Sequence, residues 1–278
     1  MANAQPLLMA QKAVAAQPVV AAAGADVVAE GVAEGVADIV AGGVADMVPA
    51  VGPVVNPVLG PAVARAVALA TPGYWEEACK HLARRDRVMK KLIPRFGQAR
   101  LSSRGDAFTT LARSIVGQQI SVKAAQSVWD RLVTKLQGGT AALLPANLSS
   151  HAVEDLRAVG LSMRKAEYLL DLAAHFSHGQ VHVDHWGQMD DEAIINELVA
   201  IRGIGRWTAE MFLIFHLMRP DVLPLDDLGL LKGISLNYFS GEPVSRAEAR
   251  EVGVGWAPYR SVATWYIWRS LDPLPVEY

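Results

Sequence analysis

The residues with the most definite chemistry lie in Leu198-Val-Ala-Ile-Arg-Gly-Ile-Gly-Arg-Trp-Thr-Ala209. Gly203 and Gly205 flank one apolar residue, so the chain turns tightly while Ile204 anchors the turn in the core. The amides of Gly203, Gly205 and the next helix's first turn, through Thr208, are then free to face outward and suit a phosphate. Residues 80–135 carry 13 Lys/Arg against Asp86, Asp106 and Asp130. That local balance of +10 is hidden inside a net charge of -2. Lys80, Arg84, Arg85, Arg87, Lys90, Lys91, Arg95, Arg100 and Arg104 form either a solvated face or a phosphate-attracting one, and the second would weaken steeply with salt. His175, His178, His182 and His185 are spaced by three, four and three, and Gly179 interrupts any shared helical face, so they read as solvated loop histidines and not as a metal site. The one cysteine, Cys79, excludes a disulfide within the chain, a four-thiolate zinc site and a four-cysteine iron–sulfur cluster.

Helices must position these groups. Phe108, Leu111 and Ile115, then Val122, Ala125, Val128/Trp129, Leu132 and Leu136, repeat at three and four residues, with Ser121 placed to cap the second run. Val153, Leu156 and Val159 end at Gly160, suited to a left-handed terminus. Ser162 opens a helix bearing Leu169, Leu172, Ala173 and Phe176, and Asp190 opens another with Ile194, Ile195 and Leu198. Trp207–Met218, Ser245–Val252 and Ser261–Leu271 complete the helical set, and Gln180–Val183 is the best candidate for a short strand. The region 72–278 is therefore expected to be an all-α domain.

Residues 1–71 differ in kind. The first 70 hold 45 hydrophobic residues, none of the 19 aromatics, and a four-residue Val-Ala repeat from Val28 that continues as Pro49, Pro53, Pro57 and Pro61. The proline period excludes a spanning helix, and the acidic balance excludes a transit peptide. A low-complexity, disordered tail without chemistry is expected.

The pattern Leu-x-x-Ile-x-Gly-Ile-Gly-x-x-Thr-Ala is that of the DNA-binding helix-hairpin-helix, and Asp227 follows Thr208 by nineteen residues in Pro224-Leu-Asp226-Asp227-Leu228. The combination resembles the helix-hairpin-helix DNA glycosylase superfamily. Gly117-Gln-Gln-Ile-Ser121, Gly203–Ala209, and Pro258-Tyr-Arg-Ser261 followed by Trp265-Tyr-Ile-Trp268 are similar to the DNA-3-methyladenine glycosylase II family over roughly residues 75–271.

That resemblance implies a two-lobed helical fold and places the catalytic carboxylate at Asp227, which would stabilise positive charge growing on the deoxyribose and orient water. Asp226 or Asp227 also reads as the cap of a helix starting near Leu228, and both roles can coexist. Motif position makes Trp207, Trp268 and Tyr259 the base pocket, with Trp268 equally readable as core and Trp265 read as core. Gln118 and Gln119 would be the wedge entering the gap left by a flipped nucleotide, or else a solvated loop. Gly203, Gly205 and Thr208 would hold DNA phosphate, and the main-chain carbonyls of Val199, Ile201 and Ile204 a structural Na+ or K+. Related bifunctional enzymes carry a Lys where this chain has Trp207, and an indole cannot form their Schiff base. The expectation is a monofunctional hydrolase releasing alkylated purines such as 3-methyladenine from double-stranded DNA, monomeric, without required cofactor or iron–sulfur cluster, and cytoplasmic and nucleoid-associated if bacterial. A non-catalytic helix-hairpin-helix module for damaged DNA, or a glycosylase/lyase, are the alternatives.

Overall fold

A computed structural model describes residues 72–97, 99–102, 105–137 and 143–271, so the expected tail and Arg104 lie outside it. Twelve α-helices follow in order among these residues: α1 Trp75–Arg85, α2 Arg87–Leu92, α3 Ala107–Gly117, α4 Val122–Gln137, α5 Pro145–Ser149, α6 Val153–Ala158, α7 Met163–Ser177, α8 Asp191–Val199, α9 Arg206–Phe215, α10 Leu228–Tyr238, α11 Arg246–Val254 and α12 Arg260–Arg269. Two 3-10 turns, Ile93–Phe96 and Val183–Gln188, supplement them. No strand occurs among the described residues. Gln180–Val183 is instead a connection running into the second 3-10 turn, and the His182 amide donates to the Glu197 carboxylate where a strand would need a ladder partner.

The starts of the helices are local chemistry. Asp86, Asp106, Ser162 and Asp190 each accept a hydrogen bond from the first turn of α2, α3, α7 and α8. Ser121 Oγ accepts from the Ala124 amide at α4, and Ser245 with Glu248 forms a reciprocal capping box at α11. Gly160 turns the chain between α6 and α7 at φ 102°, a left-handed value that a side chain would resist.

The helices sort into two lobes. In one, α3 to α9 gather around α7, which packs against α3, α5 and α6, while α9 joins α8 to α3. Its interior includes Leu111, Ile115, Leu132, Leu169, Leu172 and Leu198, all nearly inaccessible. In the other, α1 and α2 return to pack with α12, and α10 lies against α11 and α12 around Trp75, Leu82, Met89, Trp256, Tyr266 and Ile267.

Within this second lobe α10 and α12 approach unusually closely. A Cβ on Gly233 would stand 2.3 Å from Ile267 Cγ2 and 3.2 Å from the Ile267 carbonyl. Gly229, one turn earlier, would bring a Cβ to 3.1 Å from Asp227 Oδ1 and 3.4 Å from Trp268. The two glycines let the helix that begins at Asp227 lie directly on the helix that carries Trp268. No described helix is long and apolar enough to cross a membrane.

Candidate active site

The loop between α9 and α10 ends at Asp227, the N-cap of α10, whose Oδ1 accepts the Leu230 amide at 2.5 Å. The same oxygen accepts Trp268 Nε1 from α12 at 2.7 Å. Oδ2 accepts Trp207 Nε1 from α9 at 2.9 Å. One carboxylate is therefore aimed by a helix start and two indoles, one from each lobe. All three donors are neutral N–H groups, so orientation is gained without placing a countercharge on it, and Oδ2 with a single donor keeps acceptor capacity. A carboxylate so placed can face a developing cation or hold a water.

Asp226 divides from its neighbour. Its Oδ1 pairs with Arg246 Nε at 2.7 Å on a half-exposed surface, and the capping role considered for either aspartate belongs to Asp227. Trp268 unites its two readings: its body is 4% exposed and stacked on Phe215 at 5.6 Å, while its indole nitrogen serves the site. Trp207 is half-buried, and Trp265 lies in the core as expected.

Tyr259 is not brought to this carboxylate. It precedes α12, nine residues before Trp268, which is about 13 Å of helical rise. There its ring stacks on Tyr74 and meets His81 edge-on. An aromatic in a shared sequence block need not share a pocket when a helix separates the two ends.

The hairpin between α8 and α9 holds its two glycines for different reasons. Gly203 has φ 85°, and a Cβ there would lie 2.2 Å from Tyr168 Cδ2. Gly205 has ordinary backbone angles, and a Cβ on it would meet nothing within 4 Å. It is the N-cap of α9, and no side chain caps that helix. The fold thus leaves open space before a helix N-terminus containing Thr208, which suits close approach of an anionic ligand. Beside it, Arg206 donates to Glu192 and to Glu210 Oε1, and those contacts push its guanidinium further into the charged form.

The loop after α3 also separates its two residues. Gln119 is exposed at φ 57°, forming a left-handed tip, whereas Gln118 turns inward and donates from Nε2 to the Gly203 carbonyl at 2.8 Å. Of the pair, only Gln119 is presented outward. Val199 ends α8, and Ile201 and Ile204 lie in the hairpin, where the Ile201 carbonyl accepts the Ile204 amide at 3.1 Å. A carbonyl has a second lone pair, and neutral oxygens of this kind are chemically suited to Na+ or K+.

Much of the basic cluster lies on α1 and α2, which pack with α12 in the second lobe. Asp86, between α1 and α2, accepts a bond from Tyr238 at the far end of α10. Eleven residues of helix, about 16 Å, separate that contact from Asp227. Lys165, Gly229 and Gly233 enter the picture only through the structure. The i, i+4 spacing of the two glycines inside an apolar helix is the available sequence signal for close helix packing, and Lys165 has none.

A family model for "HhH-GPD superfamily base excision DNA repair protein" matches residues 112–258, from within α3 to just before α12. The chain belongs to the HhH-GPD superfamily of base excision DNA repair proteins. A solved structure, DNA-3-methyladenine glycosidase from Bacillus halodurans, is 35% identical with TM-score 0.66, covering 73% of this chain and 92% of that one. Schizosaccharomyces pombe 3-methyladenine DNA glycosylase (Mag1), solved in complex with abasic DNA, is 29% identical with TM-score 0.59 over 70% of this chain and 96% of that one. The Bacillus subtilis protein YfjP is 31% identical over 169 residues, 59% of each chain, so this chain spans under two thirds of that relative's length.

Proposed function

We propose that the chain is a monofunctional DNA glycosylase that rotates an alkylated purine such as 3-methyladenine out of duplex DNA and hydrolyses its N-glycosidic bond. The observation that carries the reading is Asp227 held between Trp207 and Trp268 at the meeting of the two lobes, with Trp207 in the first turn of the helix whose N-terminus is open. The relatives named for 3-methyladenine and the complex of one of them with abasic DNA support the same substrate class.

The chemistry follows from charge. A methylated purine is already cationic, so when the C1′–N bond breaks its electron pair passes to the base, which leaves neutral. Positive charge then gathers on the deoxyribose, where the Asp227 carboxylate stabilises it. Water oxygen bonds to C1′, and its proton passes to the carboxylate or to solvent, leaving a free base and an abasic sugar. The indole face of Trp207 offers a cationic base an attraction of about 0.5–2 kcal/mol. Gly205 and the first amides of α9 hold a phosphate and Gln119 enters the gap in the stack; the carbonyls of Val199, Ile201 and Ile204 would hold a monovalent cation, which would supply positive charge to an anionic ligand there.

The test is to incubate the protein with methylated genomic DNA and identify released bases by chromatography. Release of 3-methyladenine by the wild type and its loss in Asp227→Asn is the expected result. No release of any base leaves a binding module, and a borohydride-trapped protein–DNA adduct would make it a lyase.

A further inference from the structure

The α3–α4 loop is held by one side chain that the reaction does not use. Lys165, in the first turn of α7, donates from Nζ to the Val116 carbonyl at 2.9 Å and to the Gln118 carbonyl at 2.5 Å. These carbonyls stand where α3 ends, the terminus that leaves acceptors unpaired and gathers partial negative charge. The ammonium is half-buried, and burial pushes its pKa down from the ordinary lysine range. Its two carbonyl contacts supply the partial negative charge that a buried cation requires.

From the residue that Lys165 grips, the side chain continues across the lobe, since Gln118 Nε2 donates to the Gly203 carbonyl at 2.8 Å. The next residue is the exposed, left-handed Gln119. Behind this loop lies a cleft of about 320 Å³, lined by Val116, Ile120, Val128, Leu161 and Lys165 among others. A loop with a cleft behind it is not fixed by apolar packing on that side. One polar link ties the loop to α7, whose Tyr168 lies against Gly203, and the other ties the loop to the hairpin directly.

We infer that Lys165 is a positioning residue that latches the wedge loop to α7, the helix whose Tyr168 supports the hairpin at Gly203, so that the turn facing the DNA phosphate and the tip entering the base stack move as one body. The inference rests on the glycosylase reading but assigns Lys165 no contact with substrate. Without the ammonium the loop can settle toward the cleft, and phosphate binding no longer implies insertion of Gln119.

The test uses the full chain and a duplex bearing a tetrahydrofuran abasic site with 2-aminopurine opposite. Fluorescence at saturation reads the filling of the gap, and the titration gives Kd. The wild type should bind with a marked fluorescence change. Lys165→Met should keep Kd within about 3-fold while losing most of that change, because charge-assisted bonds are lost and the hairpin is intact. Lys165→Arg should restore much of it. Gln118→Leu cuts only the second link and should reproduce the uncoupling without a loss of Tm, which guards against a poorly folded Lys165→Met. An unchanged signal in both loss variants, or a signal that falls only in proportion to binding, overturns the latch. Failure of the wild type to bind abasic DNA would strike the glycosylase reading itself.

Discussion

Asp227 and Asp86 stand at opposite ends of α10, and locally they are alike. Each caps a helix, and each accepts an indole N–H. Asp86 receives the amides of Val88 and Met89 on Oδ1, and Tyr238 Oη and Trp256 Nε1 on Oδ2, so both oxygens carry two donors. All four come from the second lobe or the loop leading out of it. Among the described residues Asp227 receives three, and its Oδ2 is held only by Trp207, which crosses from the other lobe. The difference is one of completion and place. A saturated carboxylate within a lobe ties helices together, whereas one at the seam with an incomplete donor set is arranged and still open to a further partner.

Exchanging each carboxylate for its amide should separate these roles most sharply. Asp227→Asn can still cap α10 through its oxygen but turns its NH₂ toward the Trp207 N–H, so stability should fall by about 1–2 kcal/mol, while single-turnover base release drops by about 10²–10⁴-fold. Asp86→Asn turns an NH₂ or a single oxygen toward four donors and should cost about 1–3 kcal/mol in urea unfolding. Its excision rate per folded molecule should match the wild type. Equal rate losses in the two variants would dissolve the distinction.

The helix joining the two sites gives the next test. Gly233→Ala introduces a Cβ at 2.3 Å from Ile267 Cγ2, forcing α10 away from α12. Overpacking of this kind costs about 1–3 kcal/mol, seen as a lower Tm. Because α12 also carries Trp268, excision should slow with it. A variant that is destabilised yet fully active would show that the Asp227–Trp268 contact tolerates helix displacement.

Removal of the cross-lobe donor is narrower. Trp207→Phe keeps an aromatic face but takes the N–H from Oδ2, and excision should slow by about 10-fold, the worth of one good hydrogen bond to a charged group. Folding should change little, since Trp207 is only half-buried.

These contrasts also mark what the sequence could disclose. Capping residues and three-to-four spacing are local, and they located Ser162, Asp190 and Ser245 at the starts of α7, α8 and α11. The hairpin was legible because Gly203 needs a left-handed backbone that few residues accept. Which aspartate of the pair caps α10 was not, since Asp226 is decided by Arg246, twenty residues away. Tyr259 and Trp268 stand at opposite ends of α12, and α1 and α2, which carry much of the basic run, return to pack on α12, placements that sequence proximity does not disclose. Lys165 was invisible for the same reason: its partners are carbonyls 47 and 49 residues earlier. Local geometry is written in neighbouring residues, whereas cross-lobe contacts depend on how the chain returns.

Glu210 sharpens the contrast at the smallest scale. It lies one turn after Trp207, is 5% exposed, and offers Oε1 to Arg206 while no described residue donates to its Oε2. Burial raises its pKa above the ordinary 4.5, with Arg206 opposing. The folded state therefore holds this proton more tightly than the unfolded chain, and just above pH 4.5 stability falls as pH rises through the raised pKa. Glu210→Gln cannot titrate, so it should lack that decline, and its urea midpoint should shift by under about 1 kcal/mol equivalent between acidic and neutral pH relative to wild type. Excision at neutral pH should persist, since Asp227 is oriented by Trp207 and Trp268 and not by Glu210. A large rate loss without a stability change would instead place the unpartnered Oε2 in the chemistry, and the site would then hold two working carboxylates.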